Sequence, residues 1–446
     1  MIVSEAFRGK RYAVLGLARS GLATVEALAA SDAIVFAWDQ REDARALVAS
    51  KAAIADPMEM ELAGLDAIII SPGVPLNRHP IAARAREAGV PIIGDIELFA
   101  LARPTLPAHR VVGITGTNGK STTTALIHHI LRNAGLPTRM GGNIGLPILG
   151  QDPLNAGGVY VLELSSYQID LTFNLDCDVA VLLNVTPDHL DRYADFEAYV
   201  DAKARLFEMQ SPAHAAVIAV DDDVTRRVAM GVPRARKVSA GTIDPDAQLK
   251  WPSLQGPHNA QNVAVALAVA DALGIAENVA LDALESYASL PHRMQRVGER
   301  DGVLFINDSK ATNAASTAPA LAAWPAMYGK PRIHWILGGL AKSDNLDECA
   351  EGFPNVAHAY TIGEAGPLFA RLLREAGIEV TECELLVTAV TEAAARAKSG
   401  DVVLLSPACA SFDQFRDFEA RGDAFAAAVA ALQDVGGETA DQGGVA

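Results

Sequence analysis

The chain has 446 residues, of which 50% are hydrophobic and 20% charged, so at roughly 100–200 residues per domain it can form two to four well-packed domains. Asp and Glu number 54 against 37 Lys and Arg, a net charge of −17, which argues against nucleic acid or an anionic membrane as the main partner. The amino terminus lacks a signal-peptide pattern, and no apolar run approaches the roughly 18 residues of a membrane span, so we expect a cytoplasmic protein without membrane insertion.

The first hundred residues alternate short apolar runs with helical patterns, which is typical of βαβ units on a parallel sheet. The predicted strands cover residues 12–15, 33–38 and 67–70, and a predicted helix covers residues 21–30. Residues 101–110 contain two prolines and little periodicity, and we interpret them as a linker. The first domain is therefore predicted to span residues 1–101 and to be Rossmann-like.

Two further α/β domains are predicted, at residues 102–290 and 291–446. The second has predicted strands at 111–114, 159–164 and 179–184 and helices at 121–133, 196–208 and 259–273. The third has predicted strands at 303–307, 333–337 and 402–405, which alternate with helices. The predicted fold class is α/β with three consecutive domains: two Rossmann-like domains around a central domain of the P-loop ATPase type with a parallel sheet.

Residues 113–122 read G-I-T-G-T-N-G-K-S-T and resemble a phosphate-binding loop, with one departure. The pattern G-x-x-x-x-G-K-[ST] requires a glycine where this chain has Ile114. The segment still lies between a predicted strand and a predicted helix, where unpaired N–H groups and the helix dipole attract phosphate. Lys120 would then reach the β- and γ-phosphates of a nucleotide, and Ser121 would offer a hydroxyl to Mg²⁺.

Acidic and histidine side chains follow the next two strands of the predicted central domain. Glu163 stands at the end of one strand, and Asp188, His189 and Asp191 follow the other. Because ligands gather outside the carboxyl ends of parallel strands, we expect these residues to converge on one crevice. Glu163, a carboxylate at a strand end beside the phosphate loop, is well placed to bind Mg²⁺. An exposed edge glutamate and a structural histidine are the alternatives that the residues alone leave open.

Five separate motifs together resemble those of the Mur ligases, the cytoplasmic enzymes that add amino acids to the peptidoglycan precursor. They are T-G-T-N-G-K-S at 115–121, G-G-N-I-G at 141–145, L-E-L-S-S-Y-Q at 162–168, N-V-T-P-D-H-L-D at 184–191 and G-P-H-N at 256–259. The family loop is T-G-T-N-G-K-[ST], so Ile114 is a family feature. In the third domain, residues 307–313, 337–342 and 405–415 look like those of the members that add D-glutamate.

The resemblance implies an ATP-dependent amide ligase that acts on UDP-N-acetylmuramoyl-L-alanine. The L-alanyl carboxylate would attack the γ-phosphate of ATP, and the amine of D-glutamate would then displace phosphate from the resulting acyl phosphate. Two Mg²⁺ ions and Lys120 would offset the repulsion between the anionic carboxylate and the triphosphate.

Lys203 has a special role in this resemblance, because relatives carry the corresponding lysine as a carbamate that binds metal. Carbamylation requires a deprotonated amine and hence a lowered pKa. Without the resemblance, Lys203 would be interpreted as a solvated helical lysine. His189 would join Lys203 as a ligand of the second Mg²⁺.

The resemblance also implies five groups of site residues. The catalytic residues would be Lys120, Lys203 and His189, and the metal ligands Ser121, Glu163, His189 and Lys203. ATP would contact Gly116, Thr117, Asn118, Gly119, Lys120, Ser121, Thr122, Asn259, Arg293 and Asp308, with His258 and Asn262 on the adenine and ribose side. The UDP precursor would contact Leu17, Ala18, Arg19, Asp39, Arg41, Ser71, Gly73 and Asn143. The third domain would close on ATP and bind D-glutamate through Lys310, Thr312, Lys342, Ser411 and Phe418.

Three other functions were weighed against this one. Residues 16–21 precede Asp39 in the manner of a dinucleotide site but lack the middle glycine of G-x-G-x-x-G, which weakens an oxidoreductase hypothesis. A folate-glutamylating ligase would share the loop and the lysine but would lack a Rossmann-like domain before them. A non-catalytic nucleotide-binding scaffold would have lost Lys120, Glu163, His189 or Lys203. We expect only small-molecule partners and a monomer.

Overall fold

The computed structural model describes residues 1–188 and 192–434. Three sheets flanked by helices confirm the α/β fold class. The described residues divide into two compact units: Met1–Thr242 with Gln261–Leu284, and Ile243–Ala260 with the described part of Glu285–Ala446. The first two sheets belong to the first unit and the third sheet to the second.

The first sheet has five parallel strands in the order β3-β2-β1-β4-β5. The strands are β1 (Arg11–Leu15), β2 (Ile34–Trp38), β3 (Ala53–Ile54), β4 (Ala67–Ile70) and β5 (Ile92–Ile93), and the helices are α1 (Arg19–Ala30), α2 (Glu42–Ala46), α3 (Ile81–Ala88) and α4 (Asp95–Ala102). Strand order reverses between β1 and β4, so the loops after these two strands flank the crevice where such sheets bind ligands.

The second sheet has six parallel strands in the order β11-β10-β9-β6-β8-β7. The strands are β6 (His109–Thr115), β7 (Thr138–Gly142), β8 (Gly158–Glu163), β9 (Val179–Leu182), β10 (Ala215–Ala219) and β11 (Arg236–Val238). The helices are α5 (Lys120–Asn133), α6 (Ser166–Asp170), α7 (Phe196–Glu208) and α8 (Asp223–Gly231), followed by α9 (Pro245–Gln248), α10 (Pro257–Ala272) and α11 (Glu277–Glu285). Because β8, β6 and β9 are neighbours, the loops that follow them share one edge.

The third sheet has six strands in the order β12-β13-β17-β14-β15-β16, of which only β12 is antiparallel to its neighbour. The strands are β12 (Gln295–Arg300), β13 (Val303–Asn307), β14 (Ile333–Gly338), β15 (Val356–Ile362), β16 (Val380–Glu384) and β17 (Val402–Leu405), and the helices are α12 (Ala314–Ala322), α13 (Gly366–Glu375), α14 (Leu386–Arg396) and α15 (Phe418–Asp434). The buried apolar strands β13, β17 and β14 end side by side.

The segment predicted as a linker, residues 101–110, differs from that prediction. Helix α4 continues to Ala102, a 3-10 turn covers Arg103–Thr105, and β6 already begins at His109. Arg103 donates hydrogen bonds to the carbonyl oxygen of Asp176 and, at 3.2 Å, to the carboxylate of Asp178. A charged side chain anchors this segment, which is why hydrophobic periodicity did not reveal its order.

A buried carboxylate joins the first two sheets within one unit. Glu97, in α4, is 2% exposed and accepts hydrogen bonds from the backbone N–H groups of Phe173 at 2.7 Å and Asn174 at 3.0 Å, and from the Asn174 side chain. The N–H of Gly94 donates to the carbonyl oxygen of Leu171 at 3.0 Å. Three hydrogen bonds from the segment after α6 converge on this buried carboxyl group, so the contact fixes α4 against the second sheet.

No helix within the two described ranges combines the length and apolar character that crossing a bilayer requires.

Candidate functional site

The phosphate-binding loop connects β6 to α5 through a turn that requires glycine. Gly119 has a φ of +80°, and a Cβ there would lie 2.5 Å from Oδ1 of Asn262, so a side chain is excluded. The N–H of Asn118 donates to Oδ1 of Asn184 at 2.8 Å, and Nδ2 of Asn184 donates to the carbonyl oxygen of Asn118 at 3.1 Å. Asn184 therefore holds the loop in place, a role that its position in the 184–191 motif did not indicate.

Helix α5 begins directly at the lysine of the loop. Nζ of Lys120 donates to the carbonyl oxygens of Gly116 at 2.9 Å and Thr117 at 2.7 Å. Ser121 is 4% exposed, and Thr122 is half-buried beside it. Because the first turn of a helix carries unpaired N–H groups and partial positive charge, this arrangement can hold a polyphosphate.

Glu163 ends β8 next to this loop, since it pairs with Ile114 of β6 in the sheet. Its side chain is 2% exposed, and Oε1 accepts a hydrogen bond from Nδ2 of Asn143 at 2.8 Å. Oε2 is buried and has no hydrogen-bond partner among the described residues, and the same holds for Oγ1 of Thr115. Buried polar atoms are rarely left without a partner, so these two oxygens call for a further ligand.

A magnesium ion fits this set of groups. Mg²⁺ takes oxygen ligands and usually only one or two carboxylates, and Glu163 with the hydroxyl of Ser121 provides such donors. Within the described ranges, no cluster of three or more His, Cys, Asp or Glu side chains forms a metal site. The oxygen donors of Glu163 and Ser121 suit a hard cation that also binds phosphate oxygens.

Lys203 is a buried amine beside the phosphate-binding loop. It is 1% exposed, its Nζ donates to the carbonyl oxygen of Gly116 at 2.8 Å, and Nζ lies 4.5 Å from the ring centroid of Tyr199. Burial, reinforced by the charge of Lys120, lowers the pKa of Lys203 from 10.5 to about 6, against the opposing effect of the Asp188 and Asp170 carboxylates. The amine is therefore mostly neutral at pH 7, and a neutral amine is a nucleophile.

The position of Lys203 follows from the pattern of α7. Asp195 caps the helix by accepting a hydrogen bond from the N–H of Ala198 at 2.9 Å. Tyr199 and Phe207 are both buried, four residues before and after Lys203, so the lysine lies in the apolar stripe that faces the sheet. His189, the other residue expected at the second metal, lies outside the described residues.

Residues expected around ATP are found in both units. In the first unit, Oδ1 of Asn262 accepts a hydrogen bond from Thr123 at 3.1 Å. In the second unit, Asn259 is 3% exposed and donates to the carbonyl oxygen of Gln255 at 3.0 Å. Burial lowers the pKa of His258 to about 4, and its Nδ1 has no partner in the described part of the chain.

Asp308 follows β13 in the second unit and is surrounded by donors. Oδ1 accepts from the N–H of Met294 at 3.2 Å, and Oδ2 accepts from the hydroxyl of Ser406 at 2.8 Å. Burial raises the pKa of Asp308 to about 7, although these hydrogen bonds and the charge of Arg293 act in the opposite direction. The structure therefore brings Arg293 and Asp308 into electrostatic contact.

The residues expected to bind D-glutamate form two pairs at the carboxyl ends of the third sheet's strands. Nζ of Lys310 lies 4.2 Å from the ring centroid of Phe418. Nζ of Lys342 donates to Oγ1 of Thr312 at 3.2 Å. Ser411 is 2% exposed and follows Ala410, which bridges to Leu340. Two ammonium groups at one sheet edge suit a ligand with carboxylates.

Arg421 is a residue of this edge that the sequence reasoning missed. It is 1% exposed, and its guanidinium donates to the carbonyl oxygens of Ser309 at 2.8 Å, Cys409 at 3.0 Å, Ala410 at 3.3 Å and Gly338 at 3.5 Å. Burial lowers its pKa to about 10. One buried cation thus fixes the segments at the carboxyl ends of β13, β14 and β17. In the sequence, the only sign of this role was the position of Arg421 within the polar start of α15.

All of the residues expected around the UDP precursor except Asn143 lie at the switch point of the first sheet. The carboxylate of Asp39 accepts from the N–H groups of Leu17 at 2.7 Å and Arg41 at 3.0 Å. Burial pushes the pKa of Asp39 up, but these hydrogen bonds and the Arg41 charge outweigh it and lower that pKa. Ala18 and Arg19 are exposed at the start of α1, as is Gly73 after β4. Asn143 belongs to the second sheet's side, where it donates to Glu163. Asp39 therefore ties the loop after β1 to the end of β2.

The sequence matches three domain families in chain order. These are the Mur ligase MurD-like N-terminal domain over residues 10–94, the Mur ligase middle domain over residues 114–253 and the Mur ligase glutamate ligase domain over residues 292–409. The chain is 62% identical over 436 residues to the UDP-N-acetylmuramoylalanine–D-glutamate ligase of Novosphingobium aromaticivorans, covering 97% of each chain. It is 59% identical to the same-named ligase of Zymomonas mobilis, covering 97% of this chain and 100% of the relative.

Solved structures are similar to the chain at the level of the fold. The crystal structure of UDP-N-acetylmuramate-alanine ligase MurC from Thermotoga maritima matches with a TM-score of 0.57 at 17% identity, covering 96% of this chain and 99% of that one. The crystal structure of MurF from Acinetobacter baumannii matches with a TM-score of 0.56 at 18% identity, covering 86% and 93%.

Proposed function

The chain belongs to the Mur ligase family, and we propose that it catalyses the ATP-dependent addition of D-glutamate to UDP-N-acetylmuramoyl-L-alanine in peptidoglycan precursor synthesis. The observation that carries the proposal is that Lys120 and Lys203 both donate to the carbonyl oxygen of Gly116 in the phosphate-binding loop. Two amines can share one acceptor at close range when one of them is neutral, and the lowered pKa of Lys203 provides that condition.

The first step transfers the γ-phosphoryl group of ATP to the L-alanyl carboxylate of the precursor. A carboxylate oxygen forms a bond to the γ-phosphorus, the bond to the β,γ-bridging oxygen breaks, and ADP leaves. Lys120 and the N–H groups at the start of α5 stabilise the phosphate charge throughout this step, because they are fixed in place before the reaction begins.

The second step forms the amide. The neutral amine of D-glutamate attacks the acyl carbon, the resulting tetrahedral intermediate expels phosphate, and the nitrogen loses a proton. We assign D-glutamate to the edge of the third sheet, where Lys342 with Thr312 and Lys310 with Phe418 suit its two carboxylates.

Bound Mg²⁺ supplies charge neutralisation between the precursor carboxylate and the triphosphate. Ser121 and Glu163 would hold one ion, and the unpartnered Oε2 of Glu163 supports that assignment. We assign a second ion to Lys203 and His189. Lys203 would serve it as a carbamate: its neutral amine forms a bond to the carbon of CO₂ and loses a proton, which converts a cation-forming group into an anion.

We also propose which part of the chain binds each substrate. We assign UDP-precursor binding to residues 1–101, ATP binding to 102–290 and amino-acid binding to 291–446. The residues proposed for the precursor are Leu17, Ala18, Arg19, Asp39, Arg41, Gly73 and Asn143. A monomer in the cytoplasm without nucleic-acid partners is part of the same proposal, and the net charge of −17 supports the last point.

The experiment that tests the proposal measures ADP release and amide product across candidate precursors and amino acids. We expect ADP release to require UDP-N-acetylmuramoyl-L-alanine, and the amide to appear with D-glutamate and not with L-glutamate. Equal turnover with another amino acid would contradict the proposed specificity.

A further inference from the structure

Arg192 connects the second sheet's domain to a turn of the first. Its guanidinium donates to the carbonyl oxygens of Val74 at 3.1 Å and Gly73 at 3.3 Å. The same group lies 4.6 Å from the ring centroid of Tyr167 in α6. One planar cation thus donates from its edge to the first domain while its face packs on the central domain.

Several interactions hold the central-domain side of this contact. The ring of Tyr193 stacks on that of Tyr167, with centroids 6.1 Å apart, and its hydroxyl donates to Asp170 at 2.8 Å. Helix α6 carries a capping box between Ser165 and Gln168. Arg192 is therefore attached to the segment that immediately follows Glu163.

The first-domain side leads to the loop after β1. The N–H of Val74 donates to the carbonyl oxygen of Ser71 at 3.0 Å, and the hydroxyl of Ser71 donates to the carbonyl oxygen of Gly16 at 2.8 Å. Gly16 precedes Leu17, whose N–H is held by Asp39. A short series of hydrogen bonds thus runs from Arg192 to both loops at the switch point of the first sheet.

We propose that Arg192 is a positioning residue for the UDP precursor, which holds the 71–74 turn at a fixed distance from the phosphate-binding loop. The identity of the ligand rests on the proposed function. The precursor must reach from the loops after β1 and β4, proposed to bind its uridine diphosphate, to the γ-phosphate of ATP. The sites for the two ends of the precursor therefore have to be held at a fixed distance from each other. Arg192 acts through the backbone of Gly73 and Val74 and needs no contact with the reacting atoms.

Arg205 offers a matched control. It donates to the carbonyl oxygens of Asp170 at 3.3 Å and Thr172 at 3.1 Å, and lies 5.4 Å from the ring centroid of Phe173. Arg205 also forms an ion pair with Asp170, with Nη1 3.7 Å from Oδ1. Its other contacts are of the same kind as those of Arg192, and all of its contacts lie within the central domain. A merely structural role would make Arg192→Ala and Arg205→Ala behave alike.

The test compares Arg192→Ala, Arg192→Lys and Arg205→Ala with the wild type in the full chain. Calorimetric titration measures the affinity for UDP-N-acetylmuramoyl-L-alanine, hydrogen exchange measures the protection of residues 71–78, and steady-state kinetics separate KM from kcat. We expect Arg192→Ala to weaken precursor binding roughly tenfold or more, because it removes two charge-assisted hydrogen bonds. The same variant should have a higher KM for the precursor, with unchanged KM for the other substrates, and faster hydrogen exchange in residues 71–78. Arg192→Lys should be intermediate, since an ammonium cannot replace the planar fork.

Precursor affinity of Arg192→Ala within twofold of the wild type, or equal effects of Arg192→Ala and Arg205→Ala, would overturn the proposal. Should Arg192→Ala fail to fold, Arg192→Lys decides by the same comparison. If the wild type itself does not bind the precursor, the proposed function fails. In that case, hydrogen exchange at residues 71–78 still tests whether Arg192 positions this turn. Equal exchange rates in Arg192→Ala and the wild type would overturn that role.

Discussion

The side-chain amines of Lys120 and Lys203 donate to one carbonyl oxygen, that of Gly116, at 2.9 and 2.8 Å. The first amine belongs to the start of α5 and the second to the middle of α7, so two helices deliver nitrogen to the same point of the phosphate-binding loop. Their mutual repulsion contributes to the lowered pKa of Lys203. The structure thus places an amine with a lowered pKa next to a group that would hold phosphate.

Replacing Lys203 by alanine should abolish synthesis while the fold survives. The loss follows because the variant has no amine to carry a carboxylate to the metal, and added formate or acetate should restore part of the activity. In the wild type, ¹³CO₂ should give a carbamate NMR signal that weakens as the pH falls through about 6, since the protonated amine is no nucleophile. Near wild-type turnover of Lys203→Ala without any added carboxylate would remove the carbamate hypothesis.

Replacing Glu163 by glutamine should separate metal binding from folding. Glutamine keeps an Oε1 that accepts from Asn143 but replaces a buried anionic oxygen that lacks a partner, so thermal stability should hold or rise. Turnover should fall by roughly a hundredfold or more, because charge stabilisation at the triphosphate is lost. Thermal unfolding in the presence of ADP, with and without Mg²⁺, measures this. Mg²⁺ should raise the unfolding temperature of the wild type and of the control Glu208→Gln, whose side chain is exposed. It should not raise the unfolding temperature of Glu163→Gln.

The pKa of Asp308 gives the second unit a defined pH dependence. That pKa is about 7 in the folded protein against an ordinary 3.8, so between these values the folded state keeps a proton that the unfolded state has lost. The contribution of Asp308 to the free energy of unfolding is therefore fully present below pH 3.8 and is lost as the pH rises to about 7. Because one pKa unit corresponds to about 1.4 kcal/mol, the loss amounts to a few kcal/mol at most.

Urea unfolding of the wild type and Asp308→Asn across this pH range measures the effect. The stability of the wild type relative to the variant should decline from pH 4 to pH 7 and stay constant above it. A difference that is flat, or that grows with pH, would show that the carboxyl group is ionised in the folded state.

Replacing Arg421 by methionine should destabilise the third sheet's domain by about 3 kcal/mol or more, because carbonyl oxygens that accept from the buried guanidinium lose their partner. KM for D-glutamate should rise as the loops after β13 and β17 lose their anchor. Arg416→Met is the matched control, since Arg416 is 81% exposed and pairs only with Asp417 among the residues described. Urea unfolding and D-glutamate kinetics on both variants give the comparison, and equal stability of the two would contradict the role assigned to Arg421.

Continuous apolar runs made several strands predictable from the sequence. The runs at 67–70, 303–307 and 402–405 coincide with β4, β13 and β17, because strands buried on both faces of a parallel sheet are apolar throughout. Strand β12 has no such signal: its sequence Q-R-V-G-E-R is polar, and it forms an antiparallel edge. Strands β3 and β5, with two residues each, are too short for any pattern.

The site was predictable where its chemistry is local. The loop at 113–122 carries its own spacing, and Glu163 stands at a visible strand end. The position of Lys203 in the apolar stripe of α7 is consistent with burial. A lysine on a helix is ordinarily solvated, however, so the sequence alone favoured an exposed side chain. Arg421 and Arg192 act through backbone carbonyls far away in the sequence, and such partners leave no mark on the residues around them.

Isotope transfer distinguishes carboxylate activation followed by addition of D-glutamate from other routes to the amide. UDP-N-acetylmuramoyl-L-alanine labelled with ¹⁸O in both carboxylate oxygens is incubated with ATP, Mg²⁺ and D-glutamate, and mass spectrometry follows the phosphate and the amide. We expect one ¹⁸O atom in the released phosphate for each amide formed, with one retained in the amide, and no amide with L-glutamate. Unlabelled phosphate released along with the amide would contradict carboxylate activation.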